Sequence, residues 1–466
     1  MSSKHSSNVR VSLGCVGSPS FDPAKSLHDQ ETHARAVCLL EDDNRFDEAI
    51  RTWFRIPEGK DGDGDGYVYR AVAEVTLGFV QKVIENDMNT RRTELLAEGE
   101  GGCTSRWYKA PEGEHTPSPT APDVTSYINI FLPTTNTSSA LKTFQANARK
   151  SSVRQHVATH LVAKRFFLPS HPLTKDLSNI PRCKQSPVLN PALDFWAWSC
   201  QLLGWCGPLG EEEDQSTLPG ADDRDKRDEA IDLSPGQATR RWQMWKGSHP
   251  ILPVMMHHFG CAVPSHEGLM IVKILAEGGS GGGAGGGKNK TKGEEAAKTQ
   301  RPNKNKKRKV VDMGSGNGYW TMMLRGYGVE VDAVDNGMSK WRTTWIPDTL
   351  IQTGTGYLAS HPDHDSLILL LVYPVVGGNL TGTAEGSFTR DLVAAYKGDT
   401  LVVVGTQNHN GYTGFPDMTM DEFMEREHSG EWVRTVQVAM PSFAGKDEAL
   451  FVFQRVPALG DDGSLR

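Results

Sequence analysis

Residues 309–456 predict an α/β fold built on a doubly wound parallel sheet, and three observations carry that expectation. Short apolar runs alternate with helix-periodic stretches along this segment. The runs LILLLV (367–372) and LVVV (401–404) are apolar at every position, which suits strands covered on both faces. The last two runs, WVRTVQVAM and EALFVFQRV, lie close together with no helix between them and so predict an antiparallel terminal hairpin.

In chain order, KVVDM predicts a strand, YWTMMLRGYG a helix and VEVDAV a strand. A weakly patterned stretch, TLIQTGTGYLASHPDHD, carries only a faint strand signal. SLILLLVYP then reads as a strand, GSFTRDLVAAYKG as a helix, TLVVVGTQ as a strand and MTMDEFMEREHSG as a helix, before the closing hairpin. Upstream, HPILPVMMHHFGCAVP is compact and apolar, and Ser265 is placed to cap a helix HEGLMIVKILAE that stops at a glycine. Between that helix and the first strand lies an insert, 278–308. It opens with GGSGGGAGGG, eight glycines in ten residues, and continues into KNKTKGEEAAKTQRPNKNKKRK. Such a composition predicts a flexible, disordered surface loop inside the domain.

The 466 residues exceed one small core, but 48 glycines, 26 prolines and a hydrophobic share of 37% predict a folded part shorter than the total. The expected organisation is a partly disordered, mainly helical N-terminal region (1–248), a compact domain over 249–456 and a tail (457–466). Within the first part, SLHDQETHARAVCLLEDDNRFDEAIRTWFRI, YRAVAEVTLGFVQKVIENDM, 138–166 and ALDFWAWSCQLLGW have helix-like spacing, while 97–125 reads as loop. Trp196, Trp198, Trp205, Trp242 and Trp245 fall at core-like spacing rather than forming a stacking platform.

A net charge of −7 argues against bulk attraction to nucleic acid or anionic membrane. The seven cysteines are scattered, without CxxC, which predicts reduced thiols. With no signal-like or membrane-length apolar run, the expectation is a soluble intracellular protein, cytoplasmic or nuclear. Locally, 288–309 holds ten Lys or Arg against two Glu. KNKKRK there resembles a nuclear-localisation or phosphate-binding run, so an RNA contact stands beside the simpler reading of a solvated loop. No metal site is expected. DGDGDG (61–66) imitates the start of a calcium loop but places Val72 where a bidentate glutamate is needed, and His257, His258 and Cys261 lack zinc-site spacing.

The chemistry concentrates in VVDMGSGNGYW (310–320). A strand running into a glycine-rich turn that opens a helix bares backbone N–H groups to a nucleotide-like ligand. The dinucleotide pattern GxGxxG needs a glycine at 319, and that position is Tyr319. The glycines stand instead at 314, 316 and 318, with Asp312 two residues before the first of them.

This arrangement resembles the first motif of the class I S-adenosylmethionine-dependent methyltransferases. The segments HHFGC, GSGNGYW, DNGMSKWR, LLLVYP and PSFAGKDEALFVF resemble a group of fungal methyltransferase-like proteins. The resemblance spans about 249–456 and implies a seven-stranded methyltransferase sheet with an antiparallel terminal hairpin. It implies S-adenosyl-L-methionine as cofactor, with Asp312, Gly314, Ser315, Gly316, Asn317, Gly318, Asp335 and Tyr373 on the cofactor side. Asp335, at the tip of the second strand, would receive the ribose hydroxyls, and Trp341 and Arg342 would border the adenine or pack under the sheet edge.

On the acceptor side, His409 is the candidate general base, with Asn408, Lys446 and Asp447 as candidate substrate contacts. Relatives that methylate exocyclic base amines carry Asn or Asp followed by Pro-Pro and an aromatic at the fourth strand tip. LVYPVV departs from that pattern, which shifts the expectation toward O-methylation or toward N-methylation of a small molecule or protein. The alternative is a methyltransferase-like scaffold or cofactor sensor without catalysis.

Overall fold

The structure, a computed structural model, describes residues 13–59, 65–70, 74–86, 119–184, 186–203, 251–278, 307–374, 386–408, 413, 415, 418–443 and 446–456. Its strands in chain order are β1 (Gly14–Cys15), β2 (Tyr69–Arg70), β3 (Glu74–Val75), β4 (Phe166–Phe167), β5 (Lys309–Met313) and β6 (Val331–Asp335). They continue with β7 (Thr343–Thr344), β8 (Leu350–Ile351), β9 (Leu367–Val372), β10 (Thr400–Thr406), β11 (Trp432–Ala439) and β12 (Glu448–Arg455).

Eight strands form one sheet in the order β4-β11-β12-β10-β9-β5-β6-β8. From β8 to β10 all neighbours are parallel, and β12, β11 and β4 add antiparallel pairs. Seven of these strands follow residue 308. The eighth, β4, comes from the N-terminal half and pairs with β11 through Val436↔Phe167 and Gln437↔Phe166.

The apolar runs are explained by a sheet covered on both sides. Val310, Ile368, Leu370, Val402, Val404, Leu450 and Val452 face one core. Their alternate neighbours Val311, Leu369, Leu371, Leu401, Val403, Ala449 and Phe451 face the other. The second core is closed by helices Gly354–Ser360, Ser387–Ala395 and Met420–Glu427. The first is closed by Leu252–Phe259, His266–Glu277 and Tyr319–Gly326, and by the buried apolar residues of the described N-terminal segments. Trp53, Tyr127, Phe144 and Trp196 belong to that same core, and the Trp196 indole donates to the Ser442 carbonyl at 2.9 Å. A bidentate pair, half-buried Arg165 to buried Glu267 at 2.6 and 3.1 Å, fastens the end of helix Val153–Lys164 to the first turn of His266–Glu277.

The cap expected at Ser265 is present: its hydroxyl accepts from the Gly268 N–H at 3.1 Å, and Gly278 ends the helix in the left-handed region. Several N-terminal expectations need correction. YRAVAEVTLGFVQKVIENDM, read as one helix, begins with the β2–β3 pair, and among its described residues the helix covers 77–86. The 138–166 stretch is mostly helical as expected, in two helices, Thr137–Ala146 and Val153–Lys164, separated around Ser151 at φ 58°. Residues 121–125, read as loop, start helix Ala121–Ile128, which Thr120 and Asp123 close with a reciprocal capping box. The faint third strand exists as the two-residue β8. Most of the insert (279–306), Trp205, Trp242, Trp245 and the 457–466 tail lie outside the described residues.

Candidate functional site

Strand β5 is the point at which the chain changes direction across the sheet. Succession runs outward through β6 to β8 on one side, then resumes on the other with β9 and β10. A crevice opens at the C-terminal ends of strands flanking such a reversal, because the following loops part in opposite directions. The glycine loop leaves β5 at this place.

Gly314, Gly316 and Gly318 have φ of 76°, 57° and 79°, which L side chains rarely adopt. The first part of the loop is open: Gly314 is exposed, and Ser315 and Gly316 are half-buried. Phe388, in the first turn of helix Ser387–Ala395, lies beside Gly314, and the Trp341 ring lies across Gly316. The second part faces inward. The buried Asn317 amide donates to the His258 carbonyl at 3.0 Å, and its side-chain oxygen accepts from the Tyr319 N–H at 3.1 Å. A Cβ on Gly318 would stand 2.4 Å from Ile346 Cγ1. Gly318→Ala should therefore lower stability by about 2 to 3 kcal/mol, combining left-handed strain with overpacking; urea denaturation measures this.

Asp335, at the tip of β6, turns its carboxylate back to the loop. Oδ2 accepts from the Gly316 N–H at 3.0 Å and Oδ1 from the Gly337 N–H at 2.6 Å. Asp312 is fully buried beneath the loop. Its Oδ2 accepts from the Thr321 hydroxyl at 2.7 Å, Oδ1 has no partner among the described residues, and desolvation pushes the carboxyl up to about 7. The Ser315 hydroxyl is likewise buried without a partner among the described residues. Helix Tyr319–Gly326 begins at Gly318 and helix Ser387–Ala395 at Gly386, both in the left-handed conformation and both without a side-chain cap. Two uncapped helix starts thus flank one glycine loop, a setting that favours anionic or acceptor-rich ligand groups.

On the other side of the crevice, the tips of β9, β10 and β12 hold a dense polar group. Tyr373 follows β9 at φ 54° and Asp447 precedes β12 at φ 47°, both in a strained region for side-chain-bearing residues. Lys446 Nζ lies 4.4 Å from the Tyr373 ring centroid, 3.3 Å from Glu448 Oε1 and 3.3 Å from the Cys261 carbonyl. Asp447 accepts from the Gln407 amide at 2.9 Å and meets His160 Nε2 at 2.8 Å, and the Gln437 amide donates to Gln407 at 2.9 Å. Lys446, Asp447 and Glu448 are all buried, and burial raises the Glu448 carboxyl above its ordinary range. Burial also pushes the Cys261 thiol up to about 11, against the pull of Lys446.

The candidate residues therefore divide. Gly314, Ser315, Gly316 and Asp335 share the open side of the loop, with Tyr373 half-exposed at the tip of the neighbouring β9. Asp312, Asn317 and Gly318 support the loop from within. Lys446 and Asp447 lie on the same rim but are engaged by protein partners, Asn408 sits half-buried at the end of β10, and His409 lies outside the described residues. Arg342 packs in the N-terminal region rather than beside the loop, its guanidinium 4.0 Å from the Tyr67 ring centroid. His258, between Tyr69 and Thr343 at 2.8 Å each, is a core residue. Sequence reasoning missed His160 and Glu448: the former lies 287 residues from its partner, and the latter is one glutamate among many.

Among the described residues no group of three or more His, Cys, Asp or Glu is placed to hold a metal ion, and no helix is long and apolar enough to cross a membrane. No protein-family model matches the chain, and no curated protein matches it in sequence.

Proposed function

We propose that the chain is an S-adenosyl-L-methionine-dependent methyltransferase. The observation that carries the reading is the glycine loop, exposed at Gly314 and half-buried at Gly316, at the C-terminal end of β5 where the strand order reverses, with the Asp335 carboxylate beside it. The seven sheet strands from β5 onward, ending in the antiparallel β11/β12 pair, agree with the sheet that the resemblance implies. The residues fit the cofactor on their own chemistry. Side-chain-free backbone admits its chain, two helix starts without a side-chain cap suit its carboxylate, the Ser315 hydroxyl, without a partner among the described residues, offers a polar contact, and Asp335 can receive two ribose hydroxyls.

When bound, the cofactor supplies an electrophilic sulfonium methyl. The protein's task is alignment of the acceptor and exclusion of water. Tyr373 and the Lys446–Glu448 pair beside it stand where an acceptor would approach, with Asn408 shortly after β10. The departure of LVYPVV from the base-amine pattern favours an O–H acceptor, or an N–H acceptor on a small molecule or protein.

A second reading, a cofactor-binding scaffold, is favoured by one observation: Lys446 and Asp447 are buried and already partnered within the protein. Calorimetric titration with S-adenosylmethionine and S-adenosylhomocysteine tests the shared basis of both readings. Saturable heat is expected from the wild type and none from Gly316→Arg, whose side chain meets Trp341 and fills the loop. Absence of heat from the wild type overturns the proposal. Binding without transfer of labelled methyl into protein, RNA or small-molecule fractions selects the scaffold.

A further inference from the structure

The segment that follows Asp335 is held by the N-terminal region, residue by residue. Arg342, buried to 1% exposure, forms an ion pair with Asp65, and its guanidinium lies 4.0 Å from the Tyr67 ring centroid and 5.3 Å from that of Tyr69. The Arg342 carbonyl accepts from the Val16 N–H at 2.8 Å, and β1 pairs with β7 through Cys15↔Thr343 and Gly14↔Thr344. From there the contacts reach the glycine loop. The Thr343 hydroxyl meets His258 Nδ1 at 2.8 Å, and the His258 carbonyl receives both the Asn317 amide (3.0 Å) and the Trp345 indole (2.6 Å). The Trp345 backbone N–H in turn donates to the Asn317 carbonyl at 2.9 Å. Immediately before Arg342, the Trp341 ring lies across Gly316.

A half-exposed aromatic side chain outside any helix or strand keeps one orientation only where its backbone is pinned. Here the next residue is pinned on three sides, by Asp65, by the Tyr67 and Tyr69 rings and by β1. We infer that residues 14–16 and 65–69 act as a positioning strap for the cofactor site. Through Arg342 they set the Trp341 ring as the aromatic wall for the adenosine end of S-adenosylmethionine. This rests on the cofactor reading above and gives the N-terminal region a role in it. Asp65 and Tyr67 are positioning residues, and Trp341 is the group that meets the ligand.

The test is a double-mutant cycle on the full chain, read by calorimetry with S-adenosylhomocysteine and with adenosine. Asp65→Asn and Trp341→Ala should each weaken both ligands about tenfold, the scale of one lost aromatic stacking contact. The double variant should bind no more weakly than Trp341→Ala alone, because Asp65 acts through Arg342 on that ring. Asp65→Glu, which keeps the charge, should restore most of the affinity. Tyr67→Leu, which leaves the ion pair in place, serves as second variant should Asp65→Asn fail to fold, and the same non-additivity is expected of it. Additive losses, or wild-type affinity in a folded strap variant, overturn the inference while leaving the cofactor reading intact. A wild type that binds neither ligand overturns the cofactor reading itself.

Discussion

Between pH 4 and pH 7 the unfolding free energy should fall by up to about 4 kcal/mol because folded Asp312 keeps a proton that the unfolded chain releases, at about 1.4 kcal/mol for each pH unit separating its unfolded and folded pKa. The carboxyl is fully buried, accepts one hydrogen bond from Thr321, and is pushed from 3.8 up to about 7 chiefly by desolvation. In that window the folded state retains a proton that the unfolded state has released. Raising pH therefore favours unfolding until the folded group also ionises, and the slope then vanishes above about pH 7. Asp312→Asn removes the titration, so the stability difference between wild type and variant should itself depend on pH across this range and level off above it. Urea denaturation at half-unit pH intervals measures the difference, in which all other titrating groups cancel. A difference that is flat from pH 4 to 7 refutes the assignment of a proton to buried Asp312.

The same residue shows which parts of the molecule were legible in the sequence. The strand, loop and helix around Asp312 follow from local patterns: continuous apolar runs, glycines at 314, 316 and 318, and a capping serine at 265. Each of these acts over a few residues, so a linear reading captures it. The strap and the rim do not have that property. Arg342 meets Asp65 across 277 residues, and His160 meets Asp447 across 287. Nothing in the flanking sequence marks either partner, since a buried charge is selected by what surrounds it in space. Short strands fail for a related reason. β4 and β8 have two residues each, too few for a period-2 pattern, and exist because a neighbouring strand offers unpaired backbone groups. DGDGDG illustrates the same limit: set aside as an incomplete calcium loop, it supplies through Asp65 the counter-ion of a buried guanidinium.

Lys446→Met should cost about 3 to 5 kcal/mol, the usual consequence of leaving one member of a buried ion pair without its partner. Lys446 and Glu448 side chains are 4% and 0% exposed and stand 3.3 Å apart, so no solvent relieves the remaining carboxylate. Glu448 Oε2 already has no partner among the described residues, and its carboxyl is raised by burial, with Lys446 opposing that rise. Removing the ammonium removes the opposing influence, so the Glu448 carboxyl should move further up. The penalty should accordingly be largest at alkaline pH and shrink on acidification, where protonation gives a neutral side chain in both states. Lys446→Met/Glu448→Leu should recover most of the lost stability, because an apolar pair of similar volume needs no desolvated charge. Chemical denaturation of the two single variants and the double at pH 6 and pH 9 measures the coupling. If the double variant regains stability yet loses the proposed methyl transfer while keeping the proposed binding of S-adenosylhomocysteine, the pair is kept for the acceptor. If transfer survives with the stability, Lys446 and Glu448 hold the tip of β12 beside Tyr373 and take no part in the chemistry.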